Sequence, residues 1–370
     1  MLSGALNHRG IQTHEGIKQM KLTPYLELMV EKEASDLYFT PGASVRMKVD
    51  GKMAAVGREP LEAETIAEMI REAMNDEQMA AFQKNWEIDF ALSLPGTGRF
   101  RVNAFHQKGQ PALVLRHIRA QIPDLESLRV PAILQELILH KRGLLLMVGG
   151  TGSGKSTTLA AMIHHRNQTM GGHILTIEDP VEFVHPHLKS IVNQREVGVD
   201  THSYAAALKS SLREAPDVIL IGEIRDRETM EAALELAGTG HLAISTLHAN
   251  NAYQALTRIV NLFPQALHKQ LFMDLSLYLR AILSQRLVPD LQGKRRAAVE
   301  VMLNTPYITE LILKGDIDGI RTALAESSEQ GMQSFDTALF TLYQEGAITL
   351  EEALNHADSR ANLEAKIHFG

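Results

Sequence analysis

The chain has 370 residues, with 37 lysines and arginines against 44 aspartates and glutamates, a formal net charge of −7, and no cysteine. That length asks for two domains, or two with an appendage. The acidic balance argues against a nucleic-acid protein that relies on bulk positive charge, and the missing thiols exclude disulfides and cysteine zinc sites.

No apolar run approaches the roughly 20 residues that cross a bilayer, and the first twenty residues lack the apolar stretch of a secretory signal. A cytoplasmic protein without a transmembrane segment is expected. Residues 1–21 read as a disordered lead-in, with Met20 as an alternative start. Leu22 to Glu31 has helical spacing, and Asp36–Thr40, Val45–Val49 and Lys52–Val56 read as short strands around Pro41-Gly42 and Asp50-Gly51 turns. Leu61 to Phe82 follows as a single helical stretch, with Ile66, Met69, Ile70, Ala73 and Met74 on one stripe. Ile88–Leu92, Arg99–Phe105 and Ala112–His117 then alternate as strands, completing an α+β domain over residues 22–121.

Ile122 to Pro131 carries two prolines and no sustained period, the composition of a linker. From residue 132 to 263 the pattern becomes apolar strand, turn and helix in repetition: Leu144–Val148, Ile174–Ile177, Val218–Ile221 and Leu242–Ser245 are the strands of an α/β core. Residues 264–370 read as mostly helical through Leu267–Leu287, Tyr307–Lys314, Gln333–Glu345 and Leu350–Ala357, with a strand at Ala298–Leu303.

Gly149-Gly150-Thr151-Gly152-Ser153-Gly154-Lys155-Ser156 fits the phosphate-loop pattern and lies between an apolar strand and a helical run that opens with Thr157. Its backbone N–H groups can turn inward on phosphate oxygens, Lys155 can reach the β- and γ-phosphates, and the Ser156 hydroxyl can reach Mg²⁺. ATP and Mg²⁺ are the implied ligands. Glu178, Asp179 and Glu182 follow one strand and Glu223 another, at the ends where open α/β sheets keep their ligand crevice. Two carboxylate groups there can divide metal support from general-base work, and spacing alone does not choose the base among Glu178, Asp179 and Glu182. His164-His165 and His185-Pro186-His187 offer neither an i,i+4 ligand pair nor a third ligand, and read as surface or structural histidines.

Thr176-Ile-Glu-Asp-Pro-Val-Glu-Phe183 resembles the Asp box of type II and type IV secretion ATPases. Asp217-Val-Ile-Leu-Ile-Gly-Glu223 resembles their atypical Walker B, and Gly240-His241 with Thr246-Leu-His248 their His box. The resemblance runs from about residue 22 through nearly all of the chain and is strongest to the pilus retraction ATPases of the PilT/PilU group. It implies a RecA-like P-loop ATPase core, an N-terminal α+β (PAS-like) domain and a helical C-terminal subdomain. It also implies that Glu182 activates water, Glu223 supports the metal through water, and His241 and His248 sense the γ-phosphate. Arg99, Arg101 and Arg116 match arginine-bearing segments of the family's N-terminal domain and become candidates for charge supplied across subunits; alternation puts Arg99 and Arg101 on one face of their strand.

Assembly ATPases of this superfamily commonly carry a four-cysteine zinc module, absent here, which favours retraction. A late Ala-Ile-Arg-Asn-Leu-Ile-Arg motif of PilT-like proteins is replaced by Tyr307-Ile-Thr309-Glu-Leu-Ile-Leu313. That departure, with Ser245–Asn251, Met273–Leu277, Gly331–Leu339 and Glu352–Ser359, points to the PilU side of the group. The resemblance then implies an accessory motor for pilus retraction and twitching motility: a hexameric ring at the inner membrane, acting with a PilT-type partner on a platform protein. An ATP-binding scaffold with little turnover and an extension ATPase are the alternative readings.

Overall fold

The computed structural model describes residues 20–49, 51–118, 121–327 and 329–369. Most of the expected lead-in therefore lies outside the described residues; of it, Met20 packs against the first core and the Lys21 N–H donates to Glu72. The chain divides into two compact units, residues 1–118 and 119–370.

In the first unit, helix α1 (Thr23–Glu31) precedes strands β1 (Asp36–Phe39), β2 (Val45–Val49) and β3 (Lys52–Val56). Helices α2 (Ala63–Ala73) and α3 (Asp76–Asn85) lead to β4 (Glu87–Leu94), β5 (Gly98–Gln107) and β6 (Gln110–Ile118). The six strands form one antiparallel sheet in the order β3-β2-β1-β6-β5-β4. Alternation puts Phe100, Val102 and Ala104 of β5 into the core with Leu26, Leu37, Phe39 and Ile66, and Arg99 and Arg101 on the other face. The expected single helix over Leu61–Phe82 is two helices. Asn75 stops the first by capping the second: its side chain accepts from Gln78 N–H while the Gln78 side chain accepts from Asn75 N–H, a reciprocal box that restarts the backbone.

The second unit opens with irregular chain in which Leu125, within the stretch read as a linker, is buried in the core. Next come α4 (Ile133–Ile138), β7 (Gly143–Val148), α5 (Lys155–Thr169), β8 (Gly172–Glu178), β9 (Ser190–Glu196), α6 (Tyr204–Ser211), β10 (Val218–Ile221), α7 (Arg227–Gly238), β11 (Leu242–Leu247) and α8 (Ala252–Asn261). After α9 (His268–Tyr278) the chain turns directly into β12 (Leu279–Pro289) and β13 (Arg295–Leu303), and finishes with α10 (Pro306–Lys314), α11 (Ile317–Ala325), α12 (Phe335–Gln344), α13 (Leu350–His356) and α14 (Arg360–Phe369). The seven strands order as β13-β12-β7-β11-β10-β8-β9, with only the β12–β13 pairing antiparallel.

The helix expected to run to Leu287 therefore ends at Tyr278. Leu279–Pro289 is a strand because it enters the sheet beside β7, where Ala281 and Leu283 bury on one face and Ile282 on the other. A strand covered on both faces is apolar almost throughout and imitates a buried helix in sequence. β9 had no forecast because its sequence, Ser-Ile-Val-Asn-Gln-Arg-Glu, holds only two apolar residues, side by side, and so carries no strand period.

Candidate functional site

β7, β11, β10 and β8 are parallel neighbours, so their carboxyl ends lie side by side and present the loops that follow them on one rim. The phosphate loop follows β7, His248 follows β11, Glu223 follows β10, and Glu178 closes β8 with Asp179 and Glu182 just beyond. Thr151, Gly152, Lys155, Ser156, these four acids and His248 line a single cavity of about 290 Å³. Gly150 faces an adjoining hollow that His248 also borders. Ser153 is buried beneath the loop, while Gly154 and Thr157 flank its junction with α5.

The loop needs glycine where it presses on the sheet. A Cβ at Gly149 would stand 2.5 Å from a β12 carbonyl oxygen, and Gly154 combines φ +87° with a side-chain nitrogen 2.7 Å from where its Cβ would be. α5 starts without a side-chain cap, so the N–H groups of Lys155, Ser156 and Thr157 have no acceptor within the helix, whereas Thr158 N–H already bonds Gly154 O at 3.1 Å. The Ser153 hydroxyl is buried and unpartnered among the described residues. The Lys155 ammonium folds back on the carbonyls of Gly149 (2.8 Å) and Gly150 (3.0 Å). Burial lowers its pKa, and the facing Glu223 and Glu182 oppose that shift. Uncapped donors, an orphaned hydroxyl and a half-buried cation suit a polyphosphate.

The three Asp-box carboxylates differ in environment. Glu178 sits at the back of the cavity, accepts from the Thr176 hydroxyl at 2.6 Å and the Gln194 amide at 3.3 Å, and is pushed by burial above the ordinary carboxyl range. Glu182 is exposed on the cavity wall, with its backbone N–H turned towards Glu178. Asp179 is also exposed, at the cis bond to Pro180. Of the three, Glu178 is committed to the protein and Glu182 is open to the cavity.

Glu223 is largely buried and shared between Arg225 Nε at 2.8 Å and His248 Nε2 at 3.2 Å. The pairing with Glu223 raises the Arg225 pKa. Arg225 and Tyr204 both line the cavity and escaped the sequence reading. Arg225 was within reach as the cation two residues after Glu223. Tyr204 was not, because it arrives from α6 to cover Gly222, where a Cβ would meet its hydroxyl at 2.5 Å. The Thr246 hydroxyl bonds Gly222 O at 2.6 Å and holds the β10 and β11 ends together. Among the described residues no group of three or more His, Asp or Glu side chains forms an all-protein metal cage. Ser156 and Glu223 across the phosphate cavity suit Mg²⁺, which keeps waters and takes few protein ligands.

His241 does not join this group. It precedes β11 at the opposite, amino-terminal end of the sheet, where its carbonyl accepts from Gly143 N–H and its Nδ1 lies 3.1 Å from the Thr239 hydroxyl. The intervening strand separates it from His248 by about 20 Å at roughly 3.3 Å per residue, which leaves it outside the lining of this cavity. Arg99, Arg101 and Arg116 belong to the first unit. Arg101 and Arg116 are directly paired across β5 and β6 and are held by Asp89 (3.5 Å) and Asp36 (2.8 Å).

Residues 12–352 match the family described as Type II/IV secretion system protein. The chain is 52% identical over 352 residues to the type IV pilus ATPase PilU of Pseudomonas aeruginosa, covering 95% of this chain and 92% of that protein. It is 41% identical over 338 residues to the type IV pilus retraction ATPase PilT of the same organism, covering 91% and 98%. The crystal structure of the pilus retraction motor PilT with bound ADP superposes with a TM-score of 0.86 at 41% identity, covering 92% of this chain and 98% of that one.

Proposed function

The chain belongs to the type II/IV secretion system protein family, as a type IV pilus retraction ATPase of the PilT/PilU group, and from that premise we propose that it is an accessory retraction motor working beside a PilT-type partner. The observation that carries the ATPase site is the convergence of Lys155, Ser156, Glu182, Glu223 and His248 on one cavity at the carboxyl ends of four adjacent strands.

ATP lies with its phosphates against the uncapped start of α5. Lys155 exchanges the carbonyls of Gly149 and Gly150 for phosphate oxygens. Glu182 accepts a proton from the attacking water, the bond from the γ-phosphorus to its bridging oxygen breaks, and ADP and phosphate result. Glu178 orients the Glu182 segment. Ser156 and, through water, Glu223 would hold Mg²⁺, which would neutralise charge on the phosphates. His248 reads phosphate occupancy through its tie to Glu223. Arg99, Arg101 and Arg116 supply positive charge from a neighbouring subunit of a hexamer, and closure on ATP drives a platform protein at the inner membrane. The accessory role is supported by Thr309 and Leu313 standing where PilT-like proteins carry arginines; Leu313 is exposed, and the Thr309 hydroxyl is engaged with Asn304.

Steady-state hydrolysis by the full chain tests the site. Glu182→Gln is expected to slow turnover by about 10²-fold or more while retaining ADP binding, and Lys155→Ala to lose both. Wild-type turnover no faster than that of Glu182→Gln would leave only the scaffold reading. In cells, deletion should impair retraction under load only where the PilT-type partner is present; loss of surface pili instead would favour extension.

A further inference from the structure

Outside these motifs, one strand touches both sides of the hydrolysis site. Adjacent residues of β12 point to opposite faces of the sheet, and Gln285 and Arg286 use those faces differently. Gln285 is 2% exposed. Its side-chain nitrogen donates to Ser153 O of the phosphate loop at 2.8 Å, and its oxygen accepts from the Thr158 hydroxyl of α5 at 2.8 Å. The two tight glycines of the loop, Gly149 and Gly154, are tight against Gln285 itself, at its carbonyl oxygen and its amide nitrogen. Gln285 thus presses on the loop at both glycines, with the Ser153 hydroxyl as near to Gly149.

Arg286 faces the other way. Its guanidinium donates to Asn250 O (3.3 Å), two residues beyond His248, and to His356 O (2.6 Å) and Asp358 Oδ1 (2.5 Å), and it stacks 3.8 Å over the Phe335 ring. Asp358 also accepts from the Asn251 amide at 3.2 Å. The His248 loop is therefore fastened to the turn between α13 and α14 through a fork that only arginine offers. Neither residue lines the phosphate cavity.

We propose that Gln285 and Arg286 are positioning residues for hydrolysis: Gln285 shapes the phosphate loop for nucleotide, and Arg286 sets the His248 loop for turnover and links it to the C-terminal helices. This rests on the ATPase reading above, and it separates two effects that a purely structural role would move together. Gln285→Glu keeps size and the acceptor for Thr158 but turns a carboxylate oxygen on Ser153 O. Arg286→Lys keeps the charge but loses the fork.

The test measures affinity for a fluorescent ADP and kcat at saturating ATP in the full chain, with thermal unfolding as a control. Gln285→Glu is expected to weaken ADP binding about tenfold or more with kcat within about threefold of wild type, and Arg286→Lys to lower kcat about tenfold with ADP affinity within about twofold. Thr158→Val, which frees Gln285 without touching the loop, should weaken ADP binding by about threefold. If Arg286→Lys melts early, Phe335→Leu, which removes the ring beneath the guanidinium, should show the same fall in kcat. Folded variants that keep both quantities within about twofold, or that lose both in proportion, would overturn the inference. An inactive wild type would instead overturn the ATPase reading, and the ADP arm would still decide Gln285.

Discussion

At the scale of residues, burial sorts carboxylates that look alike in sequence. Glu178 and Glu182 are four residues apart, yet one is enclosed by Thr176 and Gln194 and the other faces the cavity. Glu300 on β13 is a third case. It is 3% exposed, accepts from Ala252 N–H at the start of α8 (2.7 Å) and from the Ser284 hydroxyl (2.8 Å), and is pushed by burial up to about 7. A carboxyl whose pKa is raised on folding is protonated more readily in the native state. Its stabilising contribution is therefore complete below the unfolded value of 4.5 and is lost as pH rises through about 7. The full effect is on the order of 3 kcal/mol at 1.36 kcal/mol per unit. Glu300→Gln keeps an oxygen for both donors and removes the titration. Urea unfolding from about pH 5 to about pH 8 should show wild type losing ~1–3 kcal/mol relative to this variant. Parallel pH profiles would refute the assignment.

At the scale of elements, capping and burial explain where the helix and strand expectations failed. The split of the stretch after Leu61 was legible in Asn75-x-x-Gln78, a capping signature that the continuing apolar stripe overshadowed. Asn75→Ala should cost the first unit about 1 kcal/mol, read as a lower urea midpoint by fluorescence of Trp86, the single tryptophan, which ends α3. Asn75→Ser should recover most of it; equal losses in both variants would show that the cap contributes nothing. β12 is the harder case. Its Ala281, Ile282 and Leu283 carry no period because both faces are covered, so only its neighbours in the sheet make it a strand. That misreading hid Ser284, Gln285 and Arg286, whose opposed directions exist only once the segment is extended.

For the whole molecule, two units with separate cores put the candidate arginines in one and the phosphate cavity in the other. If the arginines act across subunits, Arg101→Ala and Glu182→Gln should each be nearly inactive, while a mixture regains part of the turnover because some interfaces combine an intact arginine with an intact base. A mixture as slow as either variant would place Arg101 within its own subunit's site or outside catalysis. The sequence by itself determined four strands of the α/β core and pointed to the phosphate loop, the carboxylates and His248 that the fold brings to one cavity, because glycines, charges and strand ends leave local signatures at short spacing. It also suggested His241, which lies outside this cavity because a motif records order along the chain, whereas a parallel strand carries its two ends to opposite edges of the sheet. Only the tertiary structure decided that Glu178 is enclosed and Glu182 open, that Tyr204 and Arg225 belong to the site, and that β12 braces it. Each of those depends on which segments become neighbours, and burial and hydrogen-bond partners exist only after the sheet has assembled.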